Sequence, residues 1–284
     1  VRVPSCHHRD SAMVIGREMS PAGLRATPIK GFILDITGVL YNSMEGTDGI
    51  PIQGSVEAVN RLYSESRVRF LSNESTGTVS HVVGKLGRLG YSGIRAEDII
   101  TPAPTAAEYC RMNGLRPHLL VHPGIRSVFD GISQEDPNCV LIGDAEHAFT
   151  FKAINTAFRH LMKMRDPLLL SLGCGKFYQR TDGPCIDVGA FAEALKFASG
   201  CRHVVVGKPR PDYFQTALDS LGMDKEEVVM IGDDIVSDVG GAMKFGMRAI
   251  QVRTGKWRSE WESHEVKPTL IANDLLSAVR ACID

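Results

Sequence analysis

The chain has 284 residues, 43% of them hydrophobic, and a formal net charge of −1. That length suits a core domain plus an inserted or appended one, and the apolar share is enough for a sizeable core. The near-zero charge, without a long basic run, argues against a nucleic-acid partner, and no apolar stretch approaches the roughly 20 residues that span a bilayer.

Residues 1–18 mix Arg2, Arg9 and Arg17 with Pro4, His7 and His8 and lack the apolar stretch of a secretory signal. Asp10 and Glu18 count against a mitochondrial presequence. Residues 1–28 are expected to be an N-terminal extension, disordered or foreign to the fold, with natural translation starting at Met19. Gly31–Leu34 then reads as the first strand, Val56–Ser64 as a helix and Val68–Leu71 as a second strand. Val79, Val82, Val83, Leu86 and Leu89 recur at helical spacing across Thr78–Leu89, and Gly90 is placed to end that helix. A short strand follows in Glu97–Thr101, and Pro102-Ala103-Pro104 breaks the pattern.

Strands are next expected at Leu119–His122, Cys139–Ile142 and Pro167–Leu172, with a helix at Thr150–Met164 and a glycine-rich loop, Gly173-Cys174-Gly175-Lys176. The first texture then resumes. Helices are expected at Gly189–Ala198, Asp212–Leu221 and Val236–Phe245, and strands at His203–Val206, Val228–Ile231 and Ala249–Val252. Alternating strands and helices predict an α/β protein with a mainly parallel sheet. The core is assigned to residues 29–106 and 188–284, and an inserted α/β domain to 107–187.

Seven scattered cysteines, an odd number without a C-x-x-C pair, argue against a zinc site or a disulfide scaffold and for a reducing, cytoplasmic setting. His118, His122, His147, His160 and His203 fit no ligand spacing and are read as structural or surface residues.

Four of the expected strands end in polar residues. They run out at Asp35, at Ser72-Asn73-Glu74, at Gly207-Lys208-Pro209 and at Gly232-Asp233-Asp234. Singly, each has an ordinary explanation as a cap, a turn or a solvated charge. Together and in this order they suit phosphoryl transfer, which needs positioning and compensation of negative charge. Asp35 can attack phosphorus, and Lys208 can sit between Asp35 and the phosphoryl oxygens. Ser72 can hold another of those oxygens. A hard cation, Mg²⁺, would take oxygens from Asp35, the Thr37 carbonyl and Asp233, with Asp238 behind its water.

These motifs resemble those of the haloacid dehalogenase (HAD) superfamily. The resemblance covers about Lys30 to the C-terminus, including Leu34-Asp35-Ile36-Thr37-Gly38-Val39-Leu40-Tyr41, Ser72-Asn73-Glu74-Ser75, Val206-Gly207-Lys208-Pro209 and Gly232-Asp233-Asp234-Ile235-Val236. It implies a doubly wound, Rossmann-like parallel core with a large α/β cap, and Mg²⁺ as cofactor. It implies catalytic roles for Asp35, Thr37, Ser72 and Lys208, metal ligation by Asp35, Thr37, Asp233 and Asp238, and substrate contacts by Ile36, Asn73 and Glu74. It further implies a homodimer, a cytoplasmic and nuclear location, and a small phosphorylated substrate or a phosphohistidine-bearing protein as partner.

Most phosphatases of that superfamily carry a second Asp where this chain has Thr37. A hydroxyl is neither a strong acid nor a strong base near neutral pH. Substrates whose leaving group needs no strong acid, phosphoramidates and pyrophosphate, are therefore expected to outrun alkyl phosphates; alternatively Thr37 merely caps the turn and water does the proton work. A small-molecule ester phosphatase, a phosphotransferase and a slowly turning-over phospho-acceptor remain as other readings. Specificity is expected in the inserted domain, where Cys174, Lys176 and Arg180 stand on the glycine-rich segment and the two cations could meet a second phosphate; a plain surface loop explains them equally well.

Overall fold

The computed structural model describes residues 19–284. The expectation of a late translation start concerns residues 1–18 and lies outside the described residues. Two parallel sheets organise the chain. The first has six strands in the spatial order Leu270–Ala272, Arg248–Val252, Val228–Gly232, Gly31–Leu34, Arg67–Leu71 and Ile99–Ile100. Gly31 pairs with Val228 on one side and Arg67 on the other, and Leu34 with Ile231 and Phe70.

A parallel strand covered on both faces must be apolar throughout, so Gly31–Leu34 is a continuous run rather than an alternation. Phe32 and Leu34 face one layer, packing with Val59, Leu86 and Val279 from the helices Ser55–Glu65, Val79–Arg88 and Leu275–Ile283. Ile33 faces the other, with Phe214 and Leu218 of Pro211–Leu221. Each such buried side chain contributes about 1.5–3 kcal/mol. From Gly31–Leu34 the chain winds outward through Arg67–Leu71 to Ile99–Ile100; from Val228–Gly232 it winds the opposite way through Arg248–Val252. The crevice beyond the carboxyl ends at such a switch point is where open sheets bind ligands.

The second sheet has four parallel strands, ordered Arg202–Val205, Leu168–Ser171, Cys139–Ile142 and Pro117–Leu120. Pro102–Met112 covers one face through Ala103, Ala106 and Cys110, while Phe151–Lys163 and Val188–Ser199 cover the other. This corrects the expected boundaries of 107–187. The inserted unit begins with the Pro102 helix and ends with the Arg202–Val205 strand, which had been assigned to the core. Both sheets are parallel and apolar, so the texture of a strand does not tell which sheet it joins. Pro102 opens a helix rather than breaking a pattern, because its missing N–H falls among the helix's unsatisfied donors.

Three other expectations are corrected. Residues 19–28 are not loose: Leu24 is buried in the core, and Arg248 Nη1 donates to Leu24 O and Thr27 O. Phe177–Arg180 is not loop but one arm of an antiparallel hairpin with Gly183–Ile186. That hairpin is tied to the core by a bridge between Ser43 and Arg180 and by Arg258 Nη2 donating to Gln179 Oε1 at 2.6 Å. The helix expected at Val236–Phe245 is interrupted, with a π turn over Ile235–Gly240 before Gly241–Phe245. Three of these histidines make structural contacts, His118 stacking on His160 and His203 Nε2 meeting Ser171 Oγ at 2.8 Å. No helix among the described residues is long and apolar enough to cross a membrane.

Candidate active site

Asp35 leaves the centre strand and Asp233 its neighbour, so two carboxylates emerge side by side at the switch point. The Asp35 N–H donates to Ile231 O at 3.0 Å, continuing the ladder beyond the strand and fixing where Asp35 starts. Gly38 then turns with φ +87°, and a β-carbon there would collide with Asp233 Oδ2, so the turn needs glycine twice over.

Lys208 is 2% exposed, and its Nζ lies 2.6 Å from Asp35 Oδ1 and 2.7 Å from Asp238 Oδ1. Burial alone would lower its pKa; Asp238 and Asp35 override that and hold the ammonium charged. The π turn brings Asp238 back towards the strand end, where its Oδ2 also accepts the Asp234 N–H at 3.1 Å.

Asp35, Asp233 and Asp238 offer oxygens within 4.8 Å of one another. Three carboxylates thus face one ammonium, and burial, then the Asp35 charge, push Asp233 well above the usual carboxylate range. Asp233 Oδ2 accepts the Lys256 N–H at 2.8 Å, while the buried Oδ1 has no partner among the described residues. Hard oxygen donors, surplus negative charge and an orphaned inward-facing oxygen fit a divalent cation.

The other expected residues divide. Ser72 ends the adjacent strand, buried; its Oγ accepts the Glu74 N–H at 3.1 Å, which leaves its own proton to donate. Thr37 Oγ1 donates to the buried Tyr41 Oη at 3.2 Å, a neutral contact with no acid in it. Ile36, expected as a substrate contact, packs its side chain into the core, leaving only its backbone for that role. Glu74 Oε1 accepts both the Thr76 N–H, at 2.6 Å, and the Thr76 hydroxyl, so it braces its own turn. Asn73 spends both side-chain groups on the Lys208 backbone.

On the inserted unit, Cys174 is half-buried, 4.0 Å from Lys208 O, and burial together with Asp234 and Asp187 pushes its thiol up, away from nucleophile duty. Lys176 is exposed, and Arg180 is consumed by Glu45 at 2.6 Å and Asp182 at 3.2 Å, so this pair does not assemble as a second phosphate site. Lys256 escaped the sequence reading, although Thr254-Gly255-Lys256 repeats the pattern of polar residues behind an apolar strand. Its Nζ sits 3.0 Å from Asp234 Oδ2, neutralising the second carboxylate of the acidic pair while its backbone holds the first.

Asp144 was also missed. It ends the strand Cys139–Ile142 by two residues, and its N–H donates across the interface to Ser75 Oγ at 2.9 Å. Burial, then the charges of Asp187 and Glu74, push its carboxyl to about 7 against the one Glu146 N–H it accepts. Between pH 3.8 and about 7 the folded chain keeps a proton that the unfolded chain has lost, so this group's contribution to stability falls as pH rises through that window. Asp144→Asn retains the acceptor and is expected to raise stability at pH 8 by roughly 2–4 kcal/mol, with little change at pH 3.5. Thermal melts at the two pH values check this, and equal shifts at both would remove the burial argument.

The haloacid dehalogenase-like hydrolase family profile matches residues 32–133, and a second HAD-hydrolase-like profile matches residues 205–278. The chain is 48% identical over 263 residues to the human phospholysine phosphohistidine inorganic pyrophosphate phosphatase, covering 92% of this chain and 97% of that one. It is 46% identical to the Xenopus laevis protein of that name, over 89% and 94% of the two chains. The bovine haloacid dehalogenase-like hydrolase domain-containing protein 2 is 35% identical, over 81% and 86%. Among solved structures, the 4-nitrophenylphosphatase of Thermotoga maritima superposes with a TM-score of 0.78 at 26% identity, over 89% and 97%. The p-nitrophenyl phosphatase of Archaeoglobus fulgidus gives 0.76 at 25% identity, over 89% and 99%.

Proposed function

The chain belongs to the haloacid dehalogenase-like hydrolases, and from that membership we propose a Mg²⁺-dependent phosphatase that cleaves the P–N bonds of phospholysine and phosphohistidine and the P–O–P bond of inorganic pyrophosphate. One observation carries the reading. Asp35 is held by Lys208 at 2.6 Å as a nucleophile, yet the side chain two residues on is Thr37, bonded to a phenol, where a carboxylic acid would serve an ester substrate.

Lys208 engages Asp35 Oδ1, which leaves the other carboxylate oxygen to attack phosphorus. Attack forms the aspartyl-phosphate and breaks the P–N or P–O bond. The leaving nitrogen carries away a proton it already holds or takes from water, and phosphate leaves from pyrophosphate without one. Water then attacks the phosphorus, releasing phosphate and restoring Asp35. Ser72 and Lys208 donate to the phosphoryl oxygens as charge builds on them. Mg²⁺ held by Asp35, Asp233 and the Thr37 carbonyl, with Asp238 behind it, would screen these carboxylates from the phosphoryl dianion.

A substrate panel tests this. Phosphohistidine, phospholysine, imidodiphosphate and pyrophosphate are expected to turn over at least about tenfold faster than glycerol phosphate, and Thr37→Asp to narrow the gap by raising the ester rate. Glycerol phosphate outrunning every P–N and P–O–P compound in the wild type would overturn the assignment.

A further inference from the structure

We infer that Asn73 is a positioning residue that fixes Lys208 to the core sheet independently of the inserted unit, an inference that rests on the phosphatase reading for what Lys208 does. The reason lies in the chain path. Lys208 follows the strand Arg202–Val205, an edge strand of the second sheet, and precedes the helix Pro211–Leu221, which packs on the first. The ammonium therefore stands on the connector between two separately cored units, while its partners Asp35 and Asp238 stand on the first. Left to the connector, its position would follow the second sheet.

Asn73 supplies what the connector lacks. Its Oδ1 accepts the Lys208 N–H at 2.9 Å, and its Nδ2 donates to Lys208 O at 3.0 Å. One amide thereby satisfies both backbone groups of Lys208, as a neighbouring strand would. Asn73 can do this because it leaves the end of Arg67–Leu71, a strand hydrogen-bonded directly to the one that carries Asp35. Two further features serve the same contact. Gly207 has φ +133°, and a β-carbon there would fall 2.6 Å from Asn73 Oδ1, so a side chain at 207 would push the amide off. Tyr213 Oη donates to Ser72 O at 2.8 Å, tying the same two segments together a second time. With both polar ends engaged, the Asn73 side chain is a clamp on the ammonium's backbone rather than a grip on substrate.

The experiment compares Asn73→Ala, Asn73→Asp and Tyr213→Phe on imidodiphosphate and pyrophosphate with Mg²⁺. Asn73→Ala is expected to lower kcat and kcat/KM together, by about 10- to 100-fold, with KM within about twofold, as for loss of alignment rather than of binding. Asn73→Asp keeps the acceptor for the Lys208 N–H, loses the donor, and is expected to fall between; it decides the matter if the alanine variant does not fold. Tyr213→Phe removes the second tie but leaves the amide clamp, and is expected to lower kcat by less than Asn73→Ala does; a larger loss than that of Asn73→Ala would overturn the inference. A rise in KM at unchanged kcat for the Asn73 variants, or a loss below twofold, would overturn the inference. If the wild type turns over none of these compounds, the functional reading fails instead. A crystal structure of the Asn73 variant then decides the clamp, which is overturned if Lys208 Nζ stays within hydrogen-bond distance of Asp35.

Discussion

Lys208→Ala is expected to lose at least about 10³-fold in turnover and several kcal/mol of stability together. The two losses share one cause. Lys208 is buried with Asp35 and Asp238 at 2.6 and 2.7 Å, and Asp233 lies in the same group. Removing the ammonium leaves Asp35 and Asp238 without a paired cation, and only the charge of Lys256, itself paired with Asp234, still acts on Asp233. Breaking a buried pair in this way costs about 3–5 kcal/mol, because the remaining charges stay desolvated. For a chain of this size that is a fall in Tm of roughly 6–20 °C. Lys208→Met separates charge from volume, since it restores most of the methylene packing and none of the charge. It is expected to melt close to Lys208→Ala without added cation, and both are expected to regain part of the loss in Mg²⁺. A Met variant that melts like the wild type would show that the lysine stem, not its charge, holds this pocket.

Asp35→Asn is expected to lose turnover by at least about 10⁴-fold and yet to melt higher than the wild type in the absence of divalent cation. The amide cannot act as the nucleophile, which accounts for the first effect. The second follows from counting charges: one of three clustered carboxylates is gone, Lys208 keeps Asp238, and the Asn oxygen still accepts from the ammonium. Relief of like-charge repulsion on the order of 1–2 kcal/mol is the expected gain. Mg²⁺ should stabilise the wild type more than the variant, because the variant offers the ion one carboxylate fewer. A variant that melts lower than the wild type under both conditions would place the structural weight of Asp35 above its electrostatic cost.

Much of this site was legible from residues alone, for a physical reason. Asp35 and Asp233 sit at the ends of strands buried on both faces, and such strands announce themselves as short apolar runs that stop at a polar residue, while Ser72 follows the buried Phe70-Leu71 end of its strand. Periodicity could not say which sheet a run belongs to. The strand before Lys208 therefore went to the wrong unit, and with it the boundary of the inserted domain. Nor could it tell what Asn73, expected as a substrate contact, holds in place, or find Asp144 or Lys256. Their roles lie in contacts across 135, 69 and 23 residues of sequence, and nothing local in an Asn behind a strand distinguishes a clamp from a cap. The π turn was hidden for a related reason. Its wider turn closes through the Val239 N–H donating to Asp234 O at 3.2 Å, beside Asp238 folding back on the Asp234 N–H, contacts that a helical wheel does not represent. The last strand, Leu270–Ala272, is not legible because three residues are too few to show a pattern.

The chain crosses between its two sheets at Pro102 and at Gly207, and these crossings touch: a β-carbon on Gly207 would lie 3.6 Å from that of Pro102. In polymer terms everything from 102 to 206 is a loop whose ends already meet. Such a loop can lengthen, shorten or be exchanged for another of different shape without moving a strand of the first sheet, since closure entropy grows only with the logarithm of its length. The chemistry of phosphoryl transfer and the choice of what to transfer it from can therefore change separately in this architecture.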